Sequence, residues 1–124
     1  MADSDRIDRL IAAVPQAMAL RAGLELGLFT RLGGGAMSAG DLGAALGVDP
    51  GRLSRLLYAL ASIGLLEVED GAFRNSAEAA AFLNASQPAY RGGDQAQLRE
   101  LWGADLKTAD SLRENRPAAT IWRS

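Results

Sequence analysis

The chain has 124 residues, 48% of them hydrophobic and 23% charged, which is the balance of one globular domain and not of a disordered chain. Its formal net charge of -2 gives no global pull towards nucleic acid or an anionic lipid surface. With no Cys and no His, disulfides, thiolate metal sites and the usual histidine base are excluded, and no apolar run approaches the ~20 residues of a membrane helix.

The opening MADSDRIDRL is charged, unlike a signal peptide, so a cytoplasmic protein is expected. Ile7, Leu10, Ile11 and Val14 then fall at i, i+3, i+4 and i+7, the stripe of an amphipathic helix. Met18, Ala22 and Leu26 carry the apolar line on, with Pro15 interrupting as either a kink or the first residue of a new helix. GLFTRL and GGGAM read as a short turn and a flexible loop.

Ser38, with Asp41 three residues on, forms an acidic capping box and starts a helix over 39–46 that stops at Gly47. Asp49 caps the next helix, 50–63, with Pro50 at its first position and Val48 placed to staple onto Leu53. Leu53, Leu56, Leu57 and Leu60 are its expected buried face, and Gly64 fits the left-handed position that ends it. Asp70-Gly71 signals a two-residue hairpin that sets Val68 opposite Phe73 and Glu69 opposite Ala72. Asn75 with Glu78 looks like another capping box, opening the helix SAEAAAFL. After a loop, Leu98, Leu101, Trp102, Leu106, Ala109 and Leu112 line one side of a single long helix of roughly five or six turns, ending before Pro117.

These elements predict a mainly α fold: a winged helix-turn-helix-like core with a short β-hairpin, flanked by N-terminal helices and a long C-terminal helix. The expected organisation is a single domain over 1–124. Residues 1–35 form the N-terminal helices, 36–76 the helix-turn-helix and wing, 77–116 the C-terminal helices, and 117–124 the start of a linker.

A winged helix-turn-helix suggests DNA binding, and charge weighs against it. Over 38–76 the basic groups are Arg52, Arg55 and Arg74, and the acidic ones are Asp41, Asp49, Glu67, Glu69 and Asp70, three against five. A wing reading EVEDG sets carboxylates where phosphate contacts need Lys or Arg. No nucleic-acid or membrane partner is therefore expected. The stripe Ile7, Leu10, Ile11, Val14 and Met18 lies outside the winged core and needs a cover, for which a second copy of the chain is the natural partner. Glu100 and Asp105 stand five residues apart on different helix faces and read as solvated charges. Gly23 and Gly27 form a GxxxG pair, a weak signal outside a membrane segment. Trp102 follows Leu98 by four residues, a spacing that favours ordinary packing.

Taken together, LRAGLELGLFTRL and MSAGDLGAALGVDPGRLSRLLYALASIGLLEVEDGAFRNS resemble the N-terminal dimerisation domain of S-adenosylmethionine-dependent small-molecule O-methyltransferases, both plant-type enzymes and bacterial ones of polyketide and antibiotic tailoring. The marks are LGLF, the LGVDP corner, the helix RLLYALASIGLL and the hairpin. LWGADLKTADSLRENRPA is similar to the helix that precedes the catalytic domain in that family. The resemblance implies a homodimer whose N-terminal helices interlock across a two-fold axis. It also implies a methyltransferase catalytic domain in cis or trans, whose acceptor pocket this module helps wall, with Trp102 as a possible wall residue. S-adenosylmethionine is implied for the full-length enzyme and for no residue of this chain. The cluster Gly33-Gly34-Gly35 follows a helical turn, and the GxGxxG of a βαβ unit is missing. No catalytic, cofactor-binding or metal-binding residue is expected, and the chain is expected to be non-catalytic by itself. The alternatives are a small winged-helix transcriptional regulator and a stand-alone partner of a separately encoded methyltransferase.

Overall fold

The first helix, α1, runs unbroken from Asp5 to Leu26 with Pro15 inside it, in a computed structural model that describes residues 2–93 and 95–117. The proline neither ends the helix nor starts a new one. It leaves the Ile11 carbonyl without its intrahelical donor, since proline has no N–H. Gly27, at φ 70°, stops α1 in the left-handed conformation that glycine adopts without a Cβ penalty. GLFTRL, read as a turn, closes into a short helix, α2 (Leu28–Leu32), whose Leu28, Phe29 and Leu32 are buried.

The loop expected at GGGAM ends in a two-residue strand instead. Strand β1 (Met37–Ser38) pairs antiparallel with β3 (Ala72–Asn75), Met37 opposite Phe73. Two residues are too few to show the alternation that marks a strand in sequence. Ser38 also caps α3 (Ala39–Leu46), its Oγ accepting the Asp41 N–H at 3.1 Å. Helix α4 (Pro50–Ser62) is capped by Asp49, whose Oδ2 accepts the Arg52 N–H at 2.9 Å. It ends in a Schellman motif: Gly64 is left-handed, the Leu65 N–H donates to the Leu60 carbonyl at 3.0 Å, and the Gly64 N–H donates to that of Ala61 at 3.1 Å.

Strand β2 (Leu66–Glu69) pairs with β3 in the expected register, Val68 opposite Phe73 and Glu69 opposite Ala72, and the sheet order is β1-β3-β2. Asp70 and Gly71 both have positive φ, as a type I′ turn requires. The helix that follows, α5 (Ala77–Phe82), is capped by Ser76 and not by Asn75. The Ser76 Oγ accepts the Ala79 N–H at 3.2 Å. Asn75 stays in β3, and its Nδ2 donates to the Phe29 carbonyl at 2.9 Å, tying the strand to α2.

The core gathers side chains from α2 to α5, β2 and β3: Leu28, Phe29, Leu42, Leu57, Leu60 and Phe73 are fully buried, with Leu32, Leu53, Leu66 and Ala79 around them. Of the four leucines expected on the inner face of α4, Leu56 is only partly buried.

Contacts divide the chain into two units, 1–92 and 93–124. In the second, the predicted single long helix is two helices, α6 (Gln95–Asp105) and α7 (Thr108–Glu114). The break follows from local competition. The Lys107 N–H bonds back three residues to Ala104 at 2.9 Å, and the Thr108 hydroxyl donates to the Asp105 carbonyl at 2.7 Å. Leu106 and Leu112, expected on an inner face, are 85% and 79% exposed, and the side chain of Leu98 lies outside the described residues. Among the described residues no helix is long and apolar enough to cross a membrane.

Candidate dimerisation face

Helix α1 has two parts with different surroundings. Its C-terminal part is anchored: Ala19, Leu20, Leu24 and Leu26 pack on the core, and Gly23 is buried. A Cβ at Gly23 would lie 2.6 Å from the Phe29 ring and 3.5 Å from Leu60, so only glycine lets α1 approach that closely. The GxxxG pair, weak as a sequence signal, thus marks two separate jobs, close packing at Gly23 and helix termination at Gly27.

The N-terminal part carries the predicted stripe, and all five of its residues lie on one helix. Ile7 is 61% exposed, Leu10 66%, Ile11 68%, Val14 55% and Met18 40%. They make up half of the large hydrophobic side chains that are exposed among the described residues. Soluble monomers seldom leave apolar side chains gathered in this way without a use for the patch. Covering one Ile or Leu side chain fully is worth about 1.5–3 kcal/mol. The neighbouring polar groups satisfy one another locally: the Ser4 hydroxyl donates to Asp8 at 2.8 Å, and the Arg9 Nε donates to the Asp5 carbonyl at 3.4 Å.

The winged segment has a different surface. Glu69 and Asp70 stand exposed at the tip of the hairpin. Arg74, one of the three cations of this segment, is engaged across the strands by Glu67 at 2.8 Å, both half exposed. Arg52 and Arg55 are exposed on α4, and Tyr58 covers Phe73 edge-on at 5.1 Å. What a winged helix would hold towards a phosphate backbone is here acidic at its tip.

The glycine cluster has a structural use. Gly33 closes α2 against Asn84, whose Nδ2 would lie 2.4 Å from a Cβ there, and Gly35 takes φ 131°. Both follow a helix. The strand–turn–helix that cradles a dinucleotide or S-adenosylmethionine in a βαβ unit is not what surrounds them, so these residues do not fit that cofactor. The same loop borders an open groove of about 600 Å³ with Arg31, Met37 and Leu46. Among the described residues no group of three acidic, His or Cys side chains is arranged to hold a metal. Trp102 lies on α6 in the second unit and is partly buried.

The family model for the O-methyltransferase dimerisation domain matches residues 9–85. The 3-hydroxy-5-methyl-1-naphthoate 3-O-methyltransferase of Streptomyces sahachiroi is 34% identical over 103 residues, which cover 82% of this chain and 30% of that protein. The tetracenomycin polyketide synthesis 8-O-methyl transferase TcmO of Streptomyces glaucescens is 37% identical over 86 residues, 68% of this chain and 25% of that protein. Among solved structures, the N,N-8-amino-8-demethyl-D-riboflavin dimethyltransferase RosA of Streptomyces davawensis superposes with a TM-score of 0.83 at 27% identity, over 99% of this chain and 37% of that one. The chain therefore spans less than a third of the length of the curated relatives it matches.

Proposed function

The chain belongs to the O-methyltransferase dimerisation-domain family, and from that premise we propose that its work is to form a homodimer through the stripe Ile7, Leu10, Ile11, Val14 and Met18 of α1. In this reading the module contributes association and carries no chemistry of its own. A methyltransferase catalytic domain, joined in cis or supplied in trans, binds S-adenosylmethionine, and this module helps wall its acceptor pocket, with Trp102 as the candidate wall residue. The observation that carries the proposal is the concentration of five exposed apolar side chains on one helix of a domain that otherwise buries its own core. A lasting interface of this kind covers about 1,200–2,000 Å² in total. The acidic wing argues against a DNA-binding role.

Static light scattering on the wild type and Ile11→Asp tests the proposal. A dimeric wild type and a monomeric variant are expected, because an unpaired carboxylate buried at the centre of the stripe costs about 3–5 kcal/mol. A monomeric wild type, or a variant dimer of unchanged affinity, would overturn it.

A further inference from the structure

The same helix carries a second consequence, which rests on the dimer reading. Between Asp5 and Val14 every residue of α1 is exposed except the half-buried Ala12. The packing of α1 on the core comes from Ala19 onwards. Pro15 stands between the two stretches. The side-chain hydrogen bonds of the first stretch all stay local, between Asp3 and Arg9. Ser4, at the N-cap position, gives the helix no side-chain cap.

A stretch of roughly ten residues lies below the length of about 12–15 at which an isolated helix begins to hold in water. Ile7, Ile11 and Val14 are β-branched and lower the helix propensity of this stretch further. The anchored part cannot lend its full cooperativity, because Pro15 removes one backbone bond at the junction and crowds the Ile11 carbonyl. What the stretch does have is an apolar stripe, and tertiary burial of such a face supplies most of the stability of helices in proteins.

We infer that residues 5–14 form an arm that becomes helical as the dimer forms, with Pro15 as the weak point at its junction with the anchored part of α1. In the separated monomer the arm is frayed, and the second copy orders it by covering Ile7, Ile11 and Val14. Pro15 then tunes affinity: a site competent only when ordered binds more weakly by the fraction of time it is ordered.

Pro15→Ala separates this mechanism from a preformed arm. Where the arm is disordered in the monomer, restoring the missing helix bond favours the dimer alone, and the dissociation constant falls by about tenfold or more. Where the arm is already helical in the monomer, the substitution stabilises both states alike and the constant stays put. Sedimentation of wild type and Pro15→Ala gives the two constants. Hydrogen exchange on the triple variant Ile7→Ala, Ile11→Ala, Val14→Ala supplies a second measurement, since alanine raises helix propensity while removing the stripe. We expect that variant to be monomeric and its amides over 5–14 to exchange without protection. A dimeric wild type with an unchanged constant in Pro15→Ala, or protected arm amides in a monomeric triple variant, overturns this inference and leaves the proposed function standing. A monomeric wild type, or a triple variant that still dimerises, overturns the proposed function and the inference with it.

Discussion

Helices α1 and α4 both present an apolar stripe at helical spacing, and the two meet opposite fates. On α4, Leu53, Leu57 and Leu60 are buried against the hairpin and the other helices of the same chain. On α1, Ile7, Leu10, Ile11, Val14 and Met18 stand more exposed than not or nearly so. Periodicity says that a helix has an apolar face and leaves open whose surface covers it. For α4 the cover is supplied by sequence neighbours a hairpin away. For the first part of α1, the described residues of its own unit leave the face uncovered, and a second copy is the cover that the dimerisation-domain family suggests.

Substitutions in the buried parts of the unit sharpen this contrast. The largest effect is expected at the α4 face. Leu57→Ala leaves a cavity beside fully buried neighbours and should cost about 2–5 kcal/mol of stability, read as a lowered denaturant midpoint. Gly23→Ala, within the anchored part of α1, sets a methyl against the Phe29 ring and should cost about 1–3 kcal/mol. A melting temperature equal to that of the wild type would show that α1 is not held there. Ser76→Ala removes one cap from α5 and should cost about 1 kcal/mol in the same melt.

The parts of the fold that were legible in the sequence are those decided locally. The caps at Ser38 and Asp49, the stop at Gly64 and the hairpin at Asp70-Gly71 each depend on residues within three or four positions. The remainder depends on partners far along the chain. Met37 is a strand residue only because Phe73 lies opposite it. Asn75 and Ser76 are both able caps, and the role falls to Ser76 because Asn75 stays in β3 opposite Leu66, its Nδ2 held by the Phe29 carbonyl and its Oδ1 buried without a partner. The break between α6 and α7 goes with local hydrogen bonds, the Lys107 N–H to Ala104 and the Thr108 hydroxyl to Asp105, which apolar spacing cannot register. Of the candidate site, the stripe was readable as a stripe, while its exposure became visible only once the core of its unit was seen to be complete without it. Spacing alone does not separate a pocket wall from ordinary packing at Trp102.

Sedimentation equilibrium on two matched variants tests the central claim most directly. Ile11 on α1 and Val68 on the wing are both exposed apolar residues, at 68% and 41%. The account expects Ile11→Asp to sediment as a monomer while Val68→Asp keeps the two-copy mass of the wild type, both with the helix content of a folded domain. A dimer that survives Ile11→Asp, or one lost in Val68→Asp instead, would contradict the assignment of α1 as the dimerisation face.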